Sequence, residues 1–193
     1  LRWCLALAEE AKPELQGPEE ARWLERLEAE HDNLRAALSW ARERGAAELG
    51  LRPAGALWPF WSRRDHFGEG RRWLEGALAA GRGPPAARAR ALNAAGDLAA
   101  WQGDFGREVV LQEEALALWR ELGYRSGIAA ALNRLGWVAG QRGDLGAAAA
   151  LLEESLALLR ELGDRRGIAR SLTCLRWVLG QRGDHARALA LLE

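Results

Sequence analysis

Residues 127–144 read GIAAALNRLGWVAGQRGD, and residues 167–184 read GIARSLTCLRWVLGQRGD. The two stretches share a Gly-Ile start, a Trp-Val pair and a Gly-Asp end. Gly103-Asp104, Gly143-Asp144 and Gly183-Asp184 continue the same series at equal intervals. Recurrence at a fixed period, here of about 40 residues, is the sequence signature of a repeat protein. Residues 86–193 are therefore predicted to contain two full repeats and a truncated third.

Each repeat is predicted to form two helices joined by a short turn. In the middle repeat, Ile128, Leu132 and Leu135 recur at helical spacing and mark the first helix. The second helix is expected from about Leu145 to Leu162. The Gly-Asp pairs suit the junctions, because glycine favours a helix C-terminal cap and aspartate an N-cap. The pattern predicts an all-α fold, an α-solenoid of antiparallel helix pairs in which each pair packs against its neighbours.

The N-terminal half follows the repeat pattern less closely. Residues 46–85 are predicted to form a divergent helix pair and a loop, with a break at residues 63–66. Residues 1–45 are predicted to be a helical segment that links to modules upstream of this sequence. The sequence contains no methionine and stops within an amphipathic pattern, so we expect it to be a piece of a longer protein.

The C-terminal end is predicted to be an uncovered end of the repeat array. Leu189 and Leu192 fall on the apolar side of a helix that has no following repeat in this sequence. Uncapped ends of helical repeats tend to stack on other surfaces. We therefore expect self-association through this end.

The composition argues against several classes of function. Lys plus Arg and Asp plus Glu both total 27, and this neutral balance argues against direct nucleic-acid contact. Arginine-rich turns such as Arg165-Arg166 leave a nucleic-acid binder as the weaker alternative. Cys4 and Cys174 stand far apart, which is typical of core thiols in a reducing compartment. No apolar run reaches the roughly 18 residues of a membrane span, and no signal peptide is visible, so we expect a cytoplasmic protein.

The sequence offers no pattern of catalytic or cofactor-binding residues. His31, His66 and His185 are scattered, and no two of them share a helix face at the spacing of a metal site. The context of His31 favours a capping or packing role. No GxxxxGK[ST] phosphate loop is present. We therefore predict a protein that is not an enzyme, with no cofactor and no metal site.

Large and small residues alternate at fixed positions in the middle repeat, at Leu132, Leu135, Gly136, Ala139, Ala148, Leu152 and Ser155. This spacing resembles that of the tetratricopeptide repeat. Gly136 and Ala148 are small enough to let the two helices approach closely. The usual repeat has about 34 residues, so the repeat here is a longer variant. Arg176 replaces the glycine of the preceding repeat and is expected to lie on an open surface.

Residues 23–41, WLERLEAEHDNLRAALSWA, carry a second resemblance. This string is similar to the segment that follows the nucleotide-binding and winged-helix modules of large bacterial signal-transduction ATPases of the STAND or NB-ARC type. Those proteins include relatives of the maltose regulator and carry a C-terminal tetratricopeptide-like array. The resemblance implies that this chain is a non-catalytic sensor or regulatory arm for signal transduction or transcription regulation.

The first helices of the repeats present a candidate binding groove. Positions i, i+3, i+7 and i+11 share one helical face, and in tetratricopeptide arrays this helix lines the concave surface. The candidate groove residues are Arg90, Asn93, Asp97, Trp101, Asn133, Trp137, Gln141, Arg170, Thr173, Trp177 and Gln181. Amide and guanidinium groups suit the backbone and carboxylates of an extended peptide, and tryptophan is common in binding hot spots. In the alternative interpretation, Trp137 and Trp177 fill the space between adjacent repeats.

Two functions fit these patterns. The first is an interaction scaffold that binds a protein, a peptide or a small-molecule inducer. The second is a purely structural array that self-associates and has no ligand. An accessible groove would favour the first function, whereas a groove closed by its own tryptophans would favour the second.

Overall fold

The computed structural model describes residues 2–15, 17–81 and 83–191, and these ranges form eleven helices and no strand. The helices are α1 (Arg2–Glu14), α2 (Glu20–Ala29), α3 (His31–Glu43), α4 (Ala47–Arg63), α5 (Phe67–Ala79), α6 (Pro85–Trp101), α7 (Phe105–Glu121), α8 (Arg125–Gln141), α9 (Leu145–Leu162), α10 (Arg165–Gln181) and α11 (His185–Ala190). The all-α prediction is confirmed. No helix in the described ranges is both long and apolar enough to cross a lipid bilayer.

The turn residues end and begin the repeat helices as predicted. Gly163 follows α9 in the left-handed region at φ 66°, a conformation that glycine adopts without the steric penalty of a side chain. The Asp164 carboxylate then accepts a hydrogen bond from the Gly167 amide at 3.0 Å and caps α10. Local sequence therefore sets both ends of this turn.

Small residues let α8 and α9 pack closely. A Cβ atom added to Gly136 would lie 2.7 Å from Leu152 Cγ and 3.2 Å from the carbonyl oxygen of Ala148. Real Cβ atoms essentially never show a contact as short as 2.7 Å, so a side chain at this position would force Leu152 or the helix backbone to shift. The predicted close approach at Gly136 and Ala148 is confirmed.

The chain divides into two compact units, Leu1–Leu111 and Gln112–Glu193, and the division falls within α7. The domain limits expected from the sequence, after residues 45 and 85, mark changes of sequence pattern and stay predictions.

In the N-terminal unit, α4 packs against α1, α3, α5 and α6. Its Phe60 and Trp61 are the largest fully buried side chains of the described residues. A Cβ atom on Gly70 of α5 would lie 2.6 Å from the Trp61 ring, so glycine is needed where α5 passes this tryptophan. Residues 23–41 do not form one helix, because α2 ends at Ala29 and α3 begins at His31.

In the C-terminal unit, α9 packs between α8 and α10, and α11 packs on α10. The core joins Leu152, Leu156, Leu175 and Val178 from the neighbouring helices. Arg176 is exposed, as expected for a charge at this position. Leu189 on α11 is 65% exposed. Leu192 lies outside the described residues, and the expected self-association at this end stays a prediction.

Candidate functional site

The two repeat tryptophans of the predicted groove pack against each other. The ring centroids of Trp137 and Trp177 lie 5.1 Å apart with an interplanar angle of 47°. Both side chains are half-buried, and a Cβ atom on Gly140 would lie 2.9 Å from Cζ3 of Trp177. The Trp177 ring therefore covers the backbone of α8 at Gly140. The pair fills space between two helices and keeps part of its surface exposed, so it has features of both interpretations.

Asn133 is a correction to the predicted groove, because it lies in the core. Its side chain is 2% exposed, and its Nδ2 donates a hydrogen bond to Ser171 Oγ at 2.8 Å. Ser155 Oγ donates to the carbonyl oxygen of Ala129 at 2.8 Å and lies 3.3 Å from Ser171 Oγ. The three side chains form a neutral buried network that joins α8, α9 and α10. Asn133 is unavailable to a ligand because α10 covers it, and helical spacing alone could not show this.

The remaining groove candidates of the C-terminal unit form an exposed polar strip. Gln141 on α8 and Arg170, Thr173 and Gln181 on α10 are all exposed. The Thr173 hydroxyl donates to the carbonyl oxygen of Ala169 at 2.9 Å, so its donor is already used within the helix. The guanidinium of Arg170 and the two amides are the groups of this strip that suit a carboxylate or a peptide backbone.

The candidates on α6 belong to the N-terminal unit. Arg90 is exposed, whereas Asn93 and Asp97 are half-buried. Trp101 is 66% exposed, and its ring stacks on Phe67 with a centroid distance of 5.9 Å and an interplanar angle of 14°. This face combines the exposed cationic side chain of Arg90 with the exposed Trp101 ring, which stacks on the half-buried Phe67 of α5.

The N-terminal unit contains an open pocket that the residue spacing did not predict. The pocket has a volume of about 410 Å³ and is lined by Arg35, Arg42, Glu69, Arg72 and Trp73. Three arginines and one glutamate line the pocket, so its positive charge is in excess and suits an anionic ligand. Its residues come from α3 and α5, and arginine is so common in this chain that no single position stood out.

Glu69 anchors one wall of this pocket. Its carboxylate accepts hydrogen bonds from Arg35 at 2.8 and 2.5 Å and from the Trp73 indole at 3.2 Å. The hydrogen bonds from Arg35 lower the pKa of Glu69 to about 2, in spite of the opposing effect of burial. The same carboxylate lies 3.0 Å from Nε2 of the buried His31. Glu69 is therefore ionised at neutral pH and fixed by three neighbouring side chains.

The fold and these surfaces define a class of protein, a tetratricopeptide-like α-solenoid. Residues 87–161 match the tetratricopeptide repeat family. Two groups of solved structures share the fold. The crystal structure of BtubC (BKLC) from P. vanneervenii matches with 17% identity and a TM-score of 0.70, covering 98% of this chain and 85% of that chain. A Podosopora anserina structure described as "putative kinesin light chain nearly identical TPR-like repeats" matches with 20% identity and a TM-score of 0.64, covering 100% of this chain and 91% of that chain.

Relatives with closer sequences are mycobacterial. A protein of Mycobacterium tuberculosis and one of Mycobacterium bovis, each named "Putative HTH-type transcriptional regulator", are 37% identical to this chain over 111 residues. The match takes up 53% of this chain but only 13% of each relative. Tetratricopeptide-like repeats are typically non-catalytic scaffolds for protein–protein interaction, and this chain has their fold.

Proposed function

We propose that this chain is a protein-binding scaffold that serves as the sensor or regulatory arm of a multidomain bacterial transcription regulator. The repeat fold supports the scaffold. The names of the mycobacterial relatives support the regulator. The resemblance of residues 23–41 to signal-transduction ATPases supports a nucleotide-binding module elsewhere in the same polypeptide.

The observation that carries the binding role is the exposed strip on α8 and α10. Arg170 and Gln181 lie on the same face of α10 as Trp177, which contacts Trp137 of α8. An extended peptide with an acidic side chain or a free carboxylate would place that group on the guanidinium and an apolar side chain on the indoles. Trp137 and Trp177 in this arrangement both stabilise the unit and form part of the binding surface.

To probe this surface, peptides that bind the immobilised chain are selected from a random displayed library. We expect acidic peptides, and we expect Arg170→Glu to weaken their binding about tenfold or more, because it replaces an attraction with a repulsion. Arg160→Glu is the matched control, since Arg160 is exposed on α9 and lies outside the strip. The binding constants are measured by calorimetry.

A library that yields no specific peptide would contradict the peptide-binding role. If the chain then forms a concentration-dependent oligomer in sedimentation, and Arg170→Glu leaves that oligomer unchanged, the purely structural array is the better description. The regulatory role has a separate test in the reading frame that encodes this chain. A frame without a DNA-binding module would refute it.

A small-molecule inducer is a second candidate ligand, favoured by the arginine-lined pocket of the N-terminal unit. Its volume of about 410 Å³ suits a metabolite, and Arg42 and Arg72 add positive charge beside the Trp73 ring. Citrate and inorganic phosphate serve as probes in a thermal shift assay. We expect stabilisation that Arg72→Ser abolishes and that the exposed Arg142→Ser retains. Equal responses of the two variants would exclude the pocket.

A further inference from the structure

Two histidines and a glutamate that are scattered in the sequence meet in the N-terminal unit. Glu28 lies near the end of α2, His31 opens α3, and His66 precedes α5. One ligand atom from each residue lies within 4.8 Å of the others. Oε1 of Glu28 is 4.0 Å from Nδ1 of His31 and 3.8 Å from Nε2 of His66.

His31 is held in the orientation that a metal ligand needs. Its ring is 7% exposed, lies edge-on to Phe60 at a centroid distance of 5.1 Å, and places Nε2 3.0 Å from the Glu69 carboxylate. Because an ionised carboxylate can only accept, Nε2–H of His31 donates this hydrogen bond, and Nδ1 is left as the ring nitrogen that can bind a cation, 4.0 Å from Oε1 of Glu28. A carboxylate on the far nitrogen is the usual support of a metal-binding histidine.

His66 supplies the second observation. Its Nε2 is buried and has no hydrogen-bond partner among the described residues. The His66 ring lies 4.8 Å from the His31 ring, so the two imidazoles reach the same space from different segments of the chain. A buried polar atom without a partner is costly, and a bound cation would satisfy it.

The donor set fits a zinc-like ion. Two imidazole nitrogens and one carboxylate oxygen suit zinc and similar transition metals, whereas magnesium and calcium prefer oxygen ligands. Tetrahedral zinc with bonds of about 2.0–2.1 Å places its ligand atoms roughly 3.3 Å apart, so small side-chain rotations would close the site. Arg64 Nε lies 3.6 Å from Oε2 of Glu28 and can stay beside that oxygen while Oε1 binds the ion.

We propose that Glu28, His31 and His66 bind a zinc-type divalent transition metal that ties α2 and α3 to the turn between α4 and α5. The fourth position of the ion is filled by water. All three ligands lie within one compact unit, so the metal would stabilise the packing of this unit. The site does not depend on the proposed peptide-binding surface.

The test uses the purified chain after treatment with a chelator and dialysis. Calorimetry with zinc chloride is expected to show one bound ion per chain, and zinc is expected to raise the Tm by several degrees while magnesium chloride leaves it unchanged. Cobalt(II) is expected to give the intense visible absorption of tetrahedral coordination.

His66→Ala and Glu28→Gln are the informative variants, because both residues are partly exposed and their loss should leave the helices folded. Both variants are expected to lose the zinc stabilisation and the cobalt spectrum. His185→Ala, which removes an exposed histidine of α11, is the matched control and should behave as the unmodified chain. The proposal is overturned if zinc does not bind the unmodified chain, if His66→Ala binds it equally well, or if His185→Ala alone abolishes binding.

Discussion

Helices α8 and α10 occupy the same place in successive repeats and have matching sequences, but they lie in different surroundings. Asn133 of α8 is 2% exposed, whereas its counterpart Thr173 in α10 is exposed. Gly136 of α8 is buried, whereas its counterpart Arg176 is exposed. The same position of the repeat is therefore part of the core in one helix and part of the surface in the other.

The difference arises from what packs against each helix. The Asn133 side of α8 is covered by α10, as the hydrogen bond from Asn133 to Ser171 and the contact between the two tryptophans show. Among the described helices, α10 packs mainly on α9, and beyond it only the short α11 follows. Burial in a repeat protein is thus a property of the neighbouring repeat as much as of the local sequence.

The largest expected difference in the free energy of unfolding is between the variants Gly136→Arg and Arg176→Gly. Arginine at position 136 would be forced against Leu152 and the Ala148 carbonyl, so we expect a loss of more than about 4 kcal/mol in the free energy of unfolding. Arg176→Gly changes an exposed helical position and should cost about 1 kcal/mol through helix propensity. Urea denaturation followed by circular dichroism measures both.

Gly136→Ala keeps this comparison measurable if the arginine variant does not fold. We expect it to cost about 1–3 kcal/mol, because its Cβ would overlap Leu152. If Gly136→Ala and Arg176→Gly lost equal free energies of unfolding, the difference in burial between positions 136 and 176 would be refuted.

The next effect concerns the buried polar network. Asn133→Ala is expected to cost about 2 kcal/mol, since it removes a buried hydrogen bond and leaves a cavity beside Ser171. Thr173→Ala should change stability by less than about 0.5 kcal/mol, because this side chain is exposed. The double variant Asn133→Ala, Ser171→Ala should show non-additive free energies of unfolding. If the free-energy changes of the two single variants were strictly additive, the hydrogen bond between Asn133 and Ser171 would contribute nothing to stability.

Alanine substitutions at the matched glycines Gly140 and Gly180 are expected to change stability by smaller amounts and in opposite directions. A Cβ atom on Gly140 would lie 2.9 Å from the Trp177 ring and 3.1 Å from Val178, whereas one on Gly180 would meet nothing within 4 Å. Gly140→Ala should therefore destabilise the chain by about 1 kcal/mol or more. Gly180→Ala should stabilise it by about 0.5–1 kcal/mol, because alanine favours the helix. Thermal denaturation shows whether each substitution raises or lowers stability. Destabilisation by both would contradict the open space at Gly180.

The smallest difference is expected at the helix caps. Asp144 accepts a hydrogen bond from the Ala147 amide at 3.1 Å, and Asp184 accepts one from the Arg187 amide at 3.4 Å. Asp144→Ala should cost about 1 kcal/mol of global stability, because α9 lies between α8 and α10. Asp184→Ala should only increase local opening of the short α11, which hydrogen exchange detects. Asparagine at either position should restore the cap, and equal global losses would contradict the local role of α11.

The fold was largely predictable because its signals are local or periodic. The bounds of α9 follow from Gly143-Asp144 and Gly163-Asp164, where each aspartate caps the next helix and glycine closes the previous one. The binding surface was less predictable. Helical spacing placed Asn133 and Trp137 on one face, but it could not show that α10 would bury the first and half-bury the second.

The N-terminal unit carries further interactions that no spacing in the sequence revealed. Glu69 meets His31 and Arg35, which lie on another helix far from it along the chain. The proposed metal ligands Glu28, His31 and His66 likewise come from three segments. No local pattern connects such residues, because their proximity results from how α2 to α5 pack.

The sequence by itself determined that this chain forms pairs of helices, where the repeat helices begin and end, and which positions need small residues. These features depend on hydrogen bonds and steric limits within a few turns of the chain. The tertiary structure alone decided which copy of a repeated residue is buried, which tryptophans touch, and which distant charges meet. Those features depend on the neighbour that covers each face, and a helix does not encode its neighbour.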